Sequence, residues 1–401
     1  MELKDFELAQ ERLQNVLHHT ELDLSSTFSA MSGGKIYLKC ENRQKTGSFK
    51  IRGAGNKLAA MAESGEKRPV VAASAGNHAQ GVAYAAKRFG IPATIVMPKT
   101  APLAKIRATE DYGAKVVLWG DGFDDAFAKA CEICREEGAA FVHAYNDEEV
   151  IAGQGTLGLE ILSDLPSVDI VVVPTGGGGL LAGIATAIKD VNPRVKVYGV
   201  QAEHCDPLVR SFHDGHLIVA ESAATIADGI AVKTPGDLTF DLIQRNVDGM
   251  VTVSDTEIAD AILLLLERCK QVVEPSGATS LAAVLNGRID VSGKRVVCVL
   301  SGGNIDVSFI QSIIERGLVA RHRRIKFVVT LLDKPGSLMQ MLSVISESGA
   351  NILQLEHDKI SETLNPNETN VHVSLEVGGE EHGNAVLNAL KEKGYSVEYE
   401  I

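Results

Sequence analysis

The sequence predicts an α/β protein with an open, mostly parallel sheet covered by helices on both faces, followed by a smaller ferredoxin-like βαββαβ unit. Three observations carry this. Between Pro69 and Leu318, short β-branched runs alternate with helical patterns, and strand–helix–strand order implies a parallel sheet. The runs are almost wholly apolar instead of alternating, as strands buried on both faces are. From Ile325 to Ile401 the order changes to strand, helix, strand, strand, helix, strand, which is βαββαβ.

Along the chain, "MELKDFELAQERLQ" carries acids among its apolar residues and does not read as a secretory signal. "ENRQKTGSFKIRG", from Glu41, is crowded with small polar residues and shows neither a core strand nor a long amphipathic helix. "PVVAAS" (from Pro69), "ATIVMP" (Ala93), "AKVVLW" (Ala114), "DIVVVP" (Asp169), "VKVYGV" (Val195) and "RVVCVL" (Arg295) are the buried strands, with helical stretches such as "AQGVAYAAKRFG" and "LLAGIATAIKDV" between them. Ser254 to Glu257, "SDTE", has capping-box spacing and opens a helix expected to run through Lys270. The unit boundary falls near "VARHRR", whose basic residues read as a solvated linker. Beyond it come "IKFVVTLL", "GSLMQMLSVISESG", "ANILQLEHDKI", a turn at "SETLNPNETN", "TNVHVSLEV", "EHGNAVLNALKEKG" and "YSVEYEI".

The 401 residues and net charge of −13 suit a globular protein of two or three domains and lack the basic stripe of a nucleic-acid surface. The apolar run Ile262–Leu266 is far shorter than the roughly 20 residues of a membrane span. Of six cysteines only Cys131 and Cys134 form a CxxC pair, on one helix, and no second pair completes a zinc site. No metal is expected, and the location expected is cytoplasmic.

Ligands of open parallel sheets bind at the carboxyl ends of strands. Three such ends here run into unusual loops: "SAGNHAQG" from Ser74, "TGGGGLLAG" from Thr175 and "SGGN" from Ser301. Four consecutive glycines, Gly176, Gly177, Gly178 and Gly179, forfeit backbone entropy in any regular element. Between a strand and a helix they let backbone N–H groups close on a phosphate. Gly177, Gly179 and Ala182 also fit GxGxxA, with Glu203 beyond the next strand, so a nicotinamide-dependent oxidoreductase competes. That reading leaves the other two strand ends unused. Pyridoxal phosphate uses all the parts, because it needs a phosphate cradle, a lysine amine and an oriented ring; Lys50, among the small residues Thr46, Gly47 and Ser48, is the candidate lysine.

Together "ENRQKTGSFKIRGA", "SAGNHAQG", "TGGGGLLAG", "EPSGA" (from Glu274) and "SGGN" resemble the fold-type II pyridoxal-phosphate enzymes, most closely the threonine dehydratase family, over residues 1–320. The resemblance implies two open, mostly parallel αβα sheets, with a smaller subdomain within residues 45–150. It implies that Lys50 forms a Schiff base with the cofactor and later acts as general base on the substrate α-carbon. Asn77 would bond the ring hydroxyl, Gly176 to Gly179 and the Leu180 N–H the phosphate, and Ser301 would face the pyridine nitrogen. The loop Ser74, Ala75, Gly76, Asn77 and His78 would receive the substrate carboxylate. The implied reaction is β-elimination of L-threonine, and more slowly L-serine, to 2-oxobutyrate or pyruvate and ammonia. Racemase relatives carry a serine where this chain has Ala75, and bind a divalent metal through an acid at the Glu203 position whose partner acid is not evident in "HCDPLVRS"; a monovalent cation stays open. Cysteine synthase and threonine synthase share the fold and lysine, but the wording of the Lys50 segment favours the dehydratases.

Residues 321–401, with "LLDKPGSL", resemble an ACT regulatory domain. That resemblance implies an amino-acid effector, isoleucine being the leading reading, near Asp333, Pro335 and Gly336 with Asn351 and Ile352, and a homodimer or homotetramer. A purely structural dimerisation unit is the alternative there; for the whole chain, the alternative is a non-catalytic amino-acid sensor.

Overall fold

The computed structural model of the protein describes residues 1–359 and 364–400. The chain divides into two compact units, Met1–Ile305 and Asp306–Ile401; the second takes in the helix Val307–Ala320 ahead of the basic cluster.

The first unit holds strands β1 (Leu22–Ser25), β2 (Lys35–Lys39), β3 (Val70–Ala73), β4 (Ala93–Met97), β5 (Lys115–Leu118), β6 (Ala140–Phe141), β7 (Ile170–Pro174), β8 (Lys196–Ala202), β9 (Gly249–Val253) and β10 (Arg295–Val299). They form two open sheets, ordered β1-β2-β10-β7-β8-β9 and β5-β4-β3-β6. Every pairing is parallel except β1 with β2. The continuous apolar runs sit where both faces are covered: all of β3 and all of β7 are buried. β5 departs from this expectation, being only half-buried. It is the edge of its sheet, so its apolar residues lack a neighbour on one side.

The capping box at Ser254 forms: Ser254 Oγ accepts from Glu257 N (3.2 Å) and Glu257 Oε2 from Ser254 N (2.7 Å). The α-helix it opens stops at Leu264, continues as a π-helical turn to Cys269, and ends where Lys270 takes a left-handed φ of 57°. The segment around Lys50 departs further from its sequence pattern. Its first part forms two 3-10 turns, but Lys50 itself begins a 14-residue helix, Lys50–Glu63. Glycines concealed that helix and also explain its seat. A Cβ on Gly153 would stand 2.3 Å from the Arg52 carbonyl, so helix Glu148–Asp164 meets this one backbone to backbone.

The second unit holds β11 (Arg324–Leu332), β12 (Asn351–Asp358), β13 (Glu368–Glu376) and β14 (Ser396–Glu400) with helices Ser337–Glu347 and Glu380–Glu392. The order is βαββαβ, and the sheet β12-β13-β11-β14 is antiparallel throughout. On β11 the residues alternate, and Ile325, Phe327, Val329 and Leu331 pack on Met341, Ile345, Val386 and Leu390 of the two helices. The basic cluster links helix Val307–Ala320 to β11 as a tight turn, with His322 exposed at φ 53°. Ile360, residues 361–363 of the expected turn, and Ile401 lie outside the described residues. Among the described residues no helix is long and apolar enough to cross a membrane, and no group of three His, Cys, Asp or Glu side chains is placed to hold a metal ion.

Candidate active site

Lys50 stands at the start of its helix, where the preceding residues are tied to the loop after β10. Phe49 N donates to the Ser301 carbonyl (3.1 Å), and Ser48 forms a β-bridge with Gly302. The Lys50 Nζ donates to the Ala144 carbonyl at 3.2 Å. Burial lowers the pKa of this amine to about 8, against a smaller upward pull from the Glu274 carboxylate.

The segment that accepts from Lys50 also supports the glycine run. A Cβ on Gly177 would lie 2.5 Å from the Tyr145 ring atoms, and one on Gly179 would lie 2.9 Å from Tyr145 Cα and 2.6 Å from Gln154 Oε1. Gln154 Nε2 in turn donates to the Ala144 carbonyl (3.4 Å). Gly178 is at φ 99°, which favours glycine, and caps helix Gly179–Val191. Thr239 Oγ1 donates to the Gly177 carbonyl (2.7 Å). Gly176 backs onto Ile230, and Leu180 is buried in the first turn of that helix, whose N–H groups lack intrahelical acceptors. Residues 144 and 145 therefore bring the lysine and the four glycines to one place.

Asn77 opens helix Asn77–Phe89, directly after β3 and the loop Ser74–Gly76. Its Nδ2 donates to Glu274 Oε1 (2.7 Å), and its Oδ1 accepts from Asn304 Nδ2 (2.7 Å). Three of the sequence motifs thus meet at one amide. Ser74, Ala75 and Gly76 are partly exposed, and Ser74 Oγ accepts from Gly76 N (3.2 Å). His78 is buried, with Nε2 2.8 Å from the Val142 carbonyl; desolvation, then the nearby Lys50, lower its pKa to about 3, so it is neutral. Ser301 is buried. Glu274 is pushed up to about 7, chiefly by burial.

Glu274, Asn304, Tyr145 and Gln154 had no role from sequence. The first two stood inside quoted motifs, "EPSGA" and "SGGN"; the other two sit in a stretch with no motif signal. The candidate effector residues are not gathered within one chain. Asp333 follows the end of β11 and pairs with Lys359 (2.8 Å), and Gly336 caps the next helix. Asn351 and Ile352 open β12, level with Arg324 at the other end of β11. The nine-residue length of β11, roughly 30 Å at about 3.3 Å per residue, separates them.

The family model described as "Pyridoxal-phosphate dependent enzyme" matches residues 14–302. The chain is 52% identical to the L-threonine ammonia-lyase of Thermotoga maritima over 395 residues, 98% of each chain. Among solved structures it is similar to a threonine deaminase from T.th. (41% identity, TM-score 0.72, 76% of this chain and 99% of that one). It is also similar to maize serine racemase (36% identity, TM-score 0.75, 80% and 99%). The residues fit the cofactor of that family. The lysine amine has a lowered pKa, the glycines stand where a Cβ would collide, and Thr46 Oγ1, Ser48 Oγ, His78 Nδ1, Gln154 Oε1 and Ser276 Oγ are buried polar atoms without a protein partner. Buried polar atoms are ordinarily paired, and four of these five stand in three motif loops, which suits a polar ligand. The nicotinamide alternative, resting on the GxGxxA spacing and Glu203, gives way to the family match: the chain belongs to the pyridoxal-phosphate dependent enzymes.

Proposed function

We propose that the protein catalyses β-elimination of L-threonine, and of L-serine more slowly, giving 2-oxobutyrate or pyruvate and ammonia. The observation that carries this reading is the meeting of the Lys50 amine and the glycine run on the one segment Ala144–Tyr145. The name of the full-length relative at 52% identity supports the substrate. When bound, pyridoxal phosphate supplies an electron sink for the bond broken at the substrate α-carbon.

The chain's own residues divide the remaining work. Burial holds the Lys50 amine at about 8, so its neutral form is more accessible near neutral pH than that of an exposed lysine. Lys50 would hold the cofactor and, with its amine free, would take the α-proton of the substrate onto Nζ. The amides of Gly176 to Gly179 and Leu180 would bind the phosphate, and Asn77 would donate to the ring oxygen. Ser74 to His78 receive the substrate carboxylate through hydroxyl and backbone donors. Ser301, buried and neutral, would partner the ring nitrogen without protonating it, which favours prompt departure of the β-hydroxyl. The proton taken by Lys50 Nζ balances the hydroxide that leaves, so the net loss is water; the enamine product tautomerises and takes up water, releasing ammonia and the 2-oxo acid.

The likeness to a racemase gives the second reading a footing. Ala75 opposes it, because a methyl group cannot return a proton to the α-carbon. Steady-state turnover of threonine and serine tests the proposal: 2-oxobutyrate and pyruvate form, with little D-serine. Rapid interconversion of L- and D-serine, or a preference for O-acetylserine plus sulfide, would overturn it.

Residues 1–320 serve on this reading as the catalytic region, with a smaller subdomain within 45–150, and residues 321–401 as an ACT-type regulatory region in a cytoplasmic homodimer or homotetramer. The βαββαβ order of the second unit supports the ACT-type part of this reading. An effector site using both Asp333–Gly336 and Asn351–Ile352 requires a second copy of the chain, since one chain holds them at opposite ends of its sheet.

A further inference from the structure

The side chain of Asn77 is held from two sides, and the hydrogen bonds fix which of its atoms faces which neighbour. Asn304 Nδ2 donates to the Thr46 carbonyl at 2.8 Å. A backbone carbonyl only accepts, so the amide of Asn304 is oriented by that contact alone. The same nitrogen lies 2.7 Å from the side chain of Asn77, which must therefore present Oδ1 to it. Asn77 Nδ2 is then turned to Glu274 Oε1, also at 2.7 Å. Thr46 is itself held in the left-handed region at φ 65°, unusual for a β-branched residue. The cluster leaves no room for larger neighbours: a Cβ on Gly47 would stand 2.4 Å from Asn304 Oδ1, and one on Gly302 would stand 2.2 Å from Glu274 Oε1.

With Oδ1 taken by Asn304 and one Nδ2 hydrogen by Glu274, Asn77 has one polar hydrogen left to offer. We propose that Asn304 and Glu274 are positioning residues that lock Asn77 as a hydrogen-bond donor, so that the site presents a donor and never an acceptor to the ring oxygen of its cofactor. The inference rests on the pyridoxal-phosphate reading of Lys50 and the glycine run. It adds a selectivity: the site prefers a ring whose oxygen is an anion, because a donor with no acceptor choice stabilises the charged form. A free asparagine would rotate its amide and accept from a neutral hydroxyl equally well.

The test compares pyridoxal 5′-phosphate with 3-deoxypyridoxal 5′-phosphate, which lacks only the ring oxygen, by titration of the cofactor-free full chain. The wild-type chain is expected to prefer the oxygen-bearing compound by roughly tenfold or more, the usual worth of a hydrogen bond to a charged group. Asn304→Asp keeps the size but cannot donate to Asn77 Oδ1; it should abolish the preference while leaving affinity for the deoxy compound within about threefold. Glu274→Leu leaves Asn304 facing Asn77 Oδ1 and should only weaken the preference; Asn304→Ala, which also removes the donor to Asn77 Oδ1, serves where Asn304→Asp does not fold. Failure of the wild-type chain to bind either compound would instead overturn the cofactor reading itself. Variants that retain the full preference, or that lose both affinities equally, would show that these residues do not orient Asn77.

Discussion

Lys50 and Glu274 are two buried ionisable groups whose environments pull them in opposite senses, and both shifts have consequences for pH dependence. Burial holds the Lys50 amine at about 8, below its ordinary 10.5. The unfolded chain therefore binds more protons than the folded chain between those values, so the cofactor-free fold gains stability as pH rises from 8 to 10.5. Below 8 both states are protonated and the burial cost is fully present. Lys50→Met should thus raise the thermal midpoint of cofactor-free protein at pH 7 and have little effect above pH 10.5. Glu274 behaves conversely. Its pKa rises from 4.5 to about 7, so the folded state holds the extra proton and loses stability as pH climbs through that window. Glu274→Gln should stabilise the cofactor-free protein at pH 8 and be nearly neutral at pH 4; equal effects at the two values would contradict the assignment. Among the glycines, Gly177→Ala would drive a methyl group into the Tyr145 ring at 2.5 Å. It should weaken cofactor binding by about tenfold or more while the far-ultraviolet circular dichroism is kept, since the ring must swing to make room.

The helices Lys50–Glu63 and Glu148–Asp164 set the position of the lysine, and their contact depends on glycine and on a buried charge. Arg52, fully buried, donates to Glu41 (2.7 and 2.8 Å) and to Glu160 (2.7 and 2.9 Å). Removing one partner of such a buried set costs about 3–5 kcal/mol, so Arg52→Met should destabilise the fold by that order in denaturant titration. Gly153→Ala, with its Cβ 2.3 Å from the Arg52 carbonyl, should cost about 1–3 kcal/mol through overpacking and lower turnover together with stability. Elements with uniform chemistry were legible in the sequence: the apolar strands β3 and β7, the glycine run and the capping box at Ser254 all lie where their residues imply. The helix at Lys50 was not, because Gly53 and Gly55 are poor helix formers whose purpose appears only when the neighbouring backbone is present. Nor were Tyr145 and Gln154, which act through contacts with residues far from them in sequence. The exposure of β5 depends on sheet order, which no local pattern encodes.

At the scale of the molecule, the two units pose separate questions. The second unit carries its candidate effector residues at opposite ends of one sheet, so an effector site that used both sets would need a second copy of the chain. Isoleucine is expected to reduce threonine turnover by the full chain, with sigmoidal dependence if copies cooperate; a flat response to isoleucine and valine would restrict the unit to a structural role. The first unit brings five separated sequence motifs together around the carboxyl ends of its strands, and the proposed reaction assigns them to one amine. The most direct measurement is 2-oxobutyrate and ammonia release from L-threonine by the full chain and by Lys50→Ala, each supplied with pyridoxal phosphate. The wild-type chain should turn threonine over and show a yellow colour bleached by borohydride, and the variant should fall to the uncatalysed background. Unchanged ammonia release from Lys50→Ala would contradict the account.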